Sequence, residues 1–173
     1  SWEDTEEEVD DGAVLVFLPG VGEIRRLADR VMASRRLSHC LCVVLHANAP
    51  REDQRAAFAP VPHGYARKIV LATNVAESSV TIPDVTCVVD CGRVKEVRHH
   101  RHGSEKLFSA CPTLETAWCS RASTRQRAGR AGRVRPGVCV RLYTQDHFEQ
   151  RLPQHQEPEL QRVPLEELIL STK

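Results

Sequence analysis

Residues 13–20 read Ala-Val-Leu-Val-Phe-Leu-Pro-Gly. The six apolar side chains before Pro19 show no polar alternation, so the run suits a strand buried on both faces. Pro19-Gly20 ends it. Beyond it, Ile24, Leu27, Ala28, Val31 and Met32 recur at helical spacing on one face. A buried strand followed by an amphipathic helix is the start of a βαβ unit, and the pattern repeats. Leu41–Leu45, Lys68–Ala72, Thr86–Val89 and Val138–Tyr143 read as four further buried strands. Arg51–Phe58 reads as a short helix opened by Pro50, where a missing N–H does no harm. Ser120, Ser123 and Thr124 offer caps to a helix running to about Arg133, ahead of Pro136-Gly137. Leu165–Leu170 reads as the start of another helix. The alternation predicts an α/β fold: a doubly wound, mainly parallel sheet flanked by helices. In such sheets the functional loops gather beyond the carboxyl ends of the strands. Pro19–Gly22, His46–Pro50, Thr73–Ser79 and Cys91–Arg93 are therefore expected on one edge. The basic, irregular Arg93–Ala110 stretch breaks the alternation and is expected to be an inserted β-hairpin.

Composition sets the frame. The chain has 173 residues, 41% of them hydrophobic, which fits one folded domain and argues against a wholly disordered chain. No window approaches the ~18 consecutive apolar residues of a membrane span. The net charge of +1 conceals an uneven distribution. Residues 1–11 carry seven acids and no base, and read as an acidic disordered linker or the cut end of a longer chain. From Arg93 to Arg135 there are eleven Lys and Arg against three acids, a pattern that suits a polyanionic partner or a solvated basic face. Seven cysteines cannot all pair within one chain, and most lie in apolar runs. They read as buried thiols of an intracellular, reducing compartment, cytoplasm or nucleus. Zinc could be drawn from His99, His100 and His102 with Cys91 or Cys111, but no Cys-x-x-Cys pair exists and the surrounding bases repel a cation.

Two segments carry chemistry. In Gln126-Arg127-Ala128-Gly129-Arg130-Ala131-Gly132-Arg133, helical projection puts Arg130 about 40° to one side of Gln126 and Arg133 about 20° to the other. Two guanidiniums and an amide would share a narrow face, while Arg125, Arg127 and Arg135 project elsewhere. Arginine suits bidentate grip on phosphate oxygens. Gly129 and Gly132 weaken a helix by up to ~1 kcal/mol each, and close approach to the sheet or a partner would explain them. Ala72–Val85 follows a strand and concentrates Thr73, Asn74, Ser78, Ser79 and Thr81, groups that donate to phosphates without added charge. The same groups could instead satisfy one another in a capped loop.

Taken together, Leu15–Gly20 (LVFLPG), Leu45–Asn48 (LHAN), Ala72–Ile82 (ATNVAESSVTI) and Gln126–Arg133 (QRAGRAGR) resemble the second RecA-like lobe of DEAH-box (DEAH/RHA) ATP-dependent RNA helicases. The wording of TIPDV, GRVKE and RVPLEEL resembles the multidomain RHA-side members most. The resemblance implies a RecA-like lobe over 12–164, with 165–173 starting a following winged-helix region. It implies a second motor lobe that needs the first lobe of the same protein, so that the isolated chain is inactive. ATP, or another nucleoside triphosphate, would bind between the lobes. Mg²⁺ would be held by the first lobe, whose P-loop and DEAH residues do not occur here. RNA and the protein's own C-terminal domains are the implied partners, in a monomer without a membrane association. Arg133 matches the arginine finger, Arg130 the second phosphate-facing arginine, and Gln126 the glutamine that orders the γ-phosphate and attacking water. Phe58 matches the aromatic that stacks on the base, and Thr81 a nucleotide-side threonine. Thr73, Asn74 and Ser79 match RNA-backbone contacts, and Lys95 the start of the lobe-two hairpin. Many members carry Asp directly after the Thr-Ile of this segment. Pro83 stands there instead and Asp84 follows, which leaves the ribose contact open. The alternative is a lobe kept as an RNA-binding scaffold in a catalytically silent parent, against which the intact arginine motif argues.

Overall fold

The computed structural model describes residues 12–78, 81–98, 113–133 and 136–156. Among these residues seven strands form two sheets. β1 (Ala13–Phe17), β2 (Cys40–Leu45), β3 (Arg67–Ala72), β4 (Val85–Asp90) and β7 (Val138–Arg141) make a five-stranded sheet in the order β2-β3-β1-β4-β7. All its pairings are parallel. β5 (Arg93–Arg98) and β6 (Thr113–Trp118) form a separate antiparallel pair. The helices are α1 (Val21–Ala33), α2 (Arg51–Phe58), α3 (Val75–Ser78), α4 (Arg121–Ala128) and α5 (Gln145–Gln150).

The expected doubly wound architecture is present, and side-chain alternation shows how it is held. Leu15, Phe17, Val43, Leu45, Val70, Ala72 and Val88 face one side of the sheet, where they pack with Ala57 of α2 and Ala76 of α3. Ile69 and Leu71 face the other side, against Ile24, Ala28 and Val31 of α1. The central strands are thus apolar on both faces because both faces are covered. Burial of this kind stabilises by about 25 cal/mol per Å² of apolar surface removed from water. Met32, expected on the buried stripe of α1, is instead 67% exposed.

Four other expectations need correction. Val138–Tyr143 does not form a buried strand. β7 ends at Arg141, lies at the sheet edge and leaves Val138 and Val140 exposed. The inserted hairpin exists, but its second strand lies at Thr113–Trp118, beyond the expected limit of Ala110. The helix expected to reach Arg133 stops at Ala128, with Gly129 as its C-cap. The chain then continues in turns, Arg130 N–H donating to Arg127 O and Ala131 N–H to Ala128 O. Gly132 explains the exit: its φ is +85°, a left-handed conformation that favours glycine. Close packing does not explain Gly129, where an added Cβ would meet nothing nearer than 3.5 Å. Close approach belongs to Gly137, where a Cβ would fall 2.7 Å from Thr86 O and 2.8 Å from Ala131 Cβ.

The capping expectation resolves to one residue. Ser120 Oγ accepts from Ser123 N–H at 3.1 Å, which satisfies one orphan donor of α4. Thr124 Oγ1 instead donates to Arg121 O. Helix α5 was not expected; Thr144 caps it, its hydroxyl accepting from His147 N–H. The helix expected over Leu165–Leu170, residues 1–11 and the His99–His102 cluster lie outside the described residues. Among the described residues no helix is long and apolar enough to cross a membrane.

The six described cysteines are free thiols. Cys119 is 1% exposed, and burial pushes its thiol up to about 12. The thiolate is the reactive form, so Cys119 is expected to stay unlabelled by iodoacetamide at pH 8 while the protein is native. It should label promptly in denaturant. Mass-spectrometric mapping checks this, and native-state labelling of Cys119 would contradict the burial.

Candidate functional site

The parallel sheet sorts the candidate residues onto two edges rather than one. Thr73 and Asn74 follow β3 and so lie at the carboxyl edge. Thr73 N–H donates to Leu45 O, and Thr73 O accepts from Ala76 N–H to open α3. His46 and the turn at Pro19 lie at the same edge, and Lys95 N–H donates to Pro19 O. Lys95 is therefore brought to this edge at the base of the hairpin. Its ammonium pairs with Glu23 at 2.9 Å, and the hydrogen bond from Lys95 holds the Glu23 carboxyl below its ordinary value. Ser79 lies outside the described residues.

Phe58, Thr81 and Asp84 lie at the opposite, amino edge, because they precede β3 or β4. The loops expected at the carboxyl edge do follow β1, β2, β3 and β4 there, and Phe58 and Thr81 belong to none of them. Each crossover returns along the sheet before the next parallel strand begins. Cys119 N–H donates to Gly92 O at the carboxyl end of β4, and Arg133 Nη1 reaches Thr81 Oγ1 at 2.5 Å at its amino end. Helix α4 and the turn after it thus connect the two edges.

Glu77 ties α3 and α4 together. Its carboxylate accepts from Ser123 Oγ at 2.7 Å and from Arg127 Nε at 2.7 Å, both on α4. Its backbone carbonyl accepts from Arg130 Nη2. Arg127, fully buried, also bonds Asp90 Oδ1 at 2.8 Å and Arg93 O at 3.2 Å. Asp90 in turn accepts from Gly92 N–H and Tyr143 Oη. Burial first, and then the Asp90 charge, push the Tyr143 phenol up. Sequence reading missed Arg127: projection sent it off the shared face, and that other face turned out to be the interior.

Arg130 reaches the Glu77 carbonyl and Arg133 the Thr81 hydroxyl, brought there by a turn and not by one helical face. Burial, then the Arg133 charge beside it, pull the Arg130 guanidinium down from its ordinary value, while Glu77 opposes. Two neighbouring like charges at an edge suit a multivalent anion between them. Gln126 is exposed on α4, within a turn of Arg130 in sequence. Phe58, 36% exposed, lines a shallow pocket of about 410 Å³ with Tyr65, Pro83 and Asp84. The described donors suit phosphate oxygens; among the described residues no group of three His, Cys, Asp or Glu is placed to hold a metal.

A doubly wound parallel sheet with a hydroxyl-rich segment after one strand and paired arginines beyond a crossover helix has the architecture of a RecA-like lobe. The chain belongs to the helicase conserved C-terminal domain family, which matches residues 3–135. It is 50% identical over 163 residues to a putative DEAH-box ATP-dependent helicase of Mycosarcoma maydis, covering 94% of this chain and 10% of that protein. It is 48% identical over 162 residues to the mouse ATP-dependent RNA helicase DHX29, covering 92% of this chain and 11% of that one. The crystal structure of the Escherichia coli DEAH/RHA helicase HrpB superposes with a TM-score of 0.80 at 36% identity, over 97% of this chain and 22% of HrpB. The chain thus spans about a tenth of the length of these two curated relatives.

Proposed function

We propose that this chain is the second motor lobe of an ATP-dependent RNA helicase, acting with a first lobe and further C-terminal domains of the same protein. The observation that carries the reading is the placement of Arg130 and Arg133 together beside Thr81, at the amino edge. In this reading Arg133 is the arginine finger. It neutralises charge developing on the transferred phosphoryl group, an effect worth roughly 10³–10⁵ in rate where such fingers act. Arg130 holds the phosphate tail, and Gln126 and Thr81 complete the phosphate side. Phe58 stacks on the base. Magnesium would be held by the first lobe, since the described residues here offer donors to phosphate rather than a carboxylate cluster.

Thr73, Asn74 and Lys95, at the carboxyl edge, contact the RNA backbone, and Ser79 is assigned the same role from its motif. Such contacts position a strand and read no sequence. Lys95 must exchange Glu23 for a phosphate when RNA binds. The lobes close when ATP recruits Arg130 and Arg133, and part after hydrolysis. Because α4 and the turn after it connect the edges and Glu77 locks α3 to α4, phosphate-side movement shifts the RNA-side contacts. That supplies the differential contact a two-state motor needs.

The test is ATP hydrolysis by a two-lobe protein containing this chain, with and without single-stranded RNA, beside the isolated chain. RNA-stimulated turnover in the former and none in the latter is expected. No turnover in a folded two-lobe protein that still binds RNA would overturn the motor reading and leave a scaffold.

A further inference from the structure

Lys68 is the second residue of β3, a strand buried from Lys68 to Ala72, and its side chain is 0% exposed. A buried ammonium is retained only where it is fully partnered. Its Nζ donates to Ala57 O at 2.9 Å and to Ala59 O at 2.8 Å, and it pairs with Asp84 Oδ2 at 3.1 Å. The two carbonyls belong to the residues on either side of Phe58, at the C-terminus of α2. Helix C-terminal carbonyls are orphaned acceptors, and a cation there is favourable. Phe58 and Asp84 both line the pocket at the amino edge. One ammonium thus fixes the backbone on both sides of the ring and turns the neighbouring carboxylate toward the interior.

We propose that Lys68 is the positioning residue of the base pocket, setting the pose of the Phe58 ring and holding Asp84 away from a bound nucleotide. This rests on the reading of Phe58 as the base-stacking residue. The consequence is a pocket that grips the base by stacking and leaves the phosphate tail to Arg130 and Arg133. Loss of Lys68 therefore weakens the base grip and leaves the phosphate grip intact.

The experiment uses the two-lobe protein and three variants: Lys68→Met, Lys68→Gln and Phe58→Ala. Lys68→Gln keeps an N–H donor for the carbonyls and serves if the methionine variant does not fold. Steady-state ATP hydrolysis gives KM and kcat, and inorganic triphosphate, which has no base, serves as a competing probe. Lys68→Gln is expected to raise KM for ATP at least threefold and Lys68→Met about tenfold, with kcat within twofold and triphosphate inhibition unmoved. Combined with Phe58→Ala, either should add little, since both act on one contact. An unchanged KM in folded Lys68→Gln, additive effects with Phe58→Ala, or equal weakening of triphosphate would overturn the proposal. If Phe58→Ala itself leaves KM unchanged, the base-pocket reading fails first, and the proposal with it.

Discussion

Arg133→Ala in a two-lobe protein containing this chain is expected to lower RNA-stimulated ATP hydrolysis by about 10³–10⁵, with RNA affinity within a few-fold. That range is about 4–7 kcal/mol of transition-state stabilisation. Arg133 is the informative arginine because it is exposed and its described hydrogen bond is the one to the Thr81 hydroxyl. Removing an exposed side chain leaves packing intact, so lost turnover reports chemistry. Arg130 is a poorer choice: it is partly buried and bonded to the Glu77 carbonyl, and its loss also loosens α4 from α3. Arg133→Lys keeps the charge and loses the planar fork, so it should recover only part of the rate. Retained turnover in Arg133→Ala would remove the arginine finger from this site. Fluorescence anisotropy with labelled RNA supplies the binding half of the test.

The second large effect is on stability. Arg127→Met is expected to destabilise the fold by roughly 3–5 kcal/mol, the cost of breaking a buried ion pair by removing one partner. The change strands Asp90, which is fully buried, and Glu77, which is nearly so. Desolvated carboxylates without their cation are costly, and the remaining donors to them, Ser123 Oγ, Tyr143 Oη and Gly92 N–H, are neutral. By the usual scaling, the midpoint should fall on the order of 10 °C. Urea unfolding and calorimetry read it directly. A loss below 1 kcal/mol would mean the network is locally relaxed by water. The adjacent Arg125, exposed on the same helix, is the control, where replacement should cost little.

These two arginines, six positions apart, separate what the sequence could say from what it could not. Runs such as Ala13–Leu18 and Thr86–Val89 announce buried strands, and the helical patterns among the runs announce parallel crossovers. The fold class needed no more than local periodicity. The ordered motifs from Leu15 to Arg133 likewise carried the family. Where periodicity was extended too far, it failed. A projection that assumed helix through Arg133 placed three residues on one face, while the helix ends at Ala128 and Gly132, in a left-handed turn, redirects the chain before Arg133. Composition counted Arg127 among the bases of residues 93–135, and Lys68 was read as part of an apolar run. Both are buried, because partners distant in sequence meet them: Glu77 and Asp90 for one, Ala57, Ala59 and Asp84 for the other. The sorting of candidates onto two edges was equally invisible, since it depends on how each crossover returns along the sheet. Sequence alone therefore determined the class of fold and the chemical groups available, because hydrophobic periodicity and motif order are local properties of the chain. Only the tertiary structure decided which charges are buried, which edge each group serves and what couples the edges, because those follow from contacts between residues far apart in the chain.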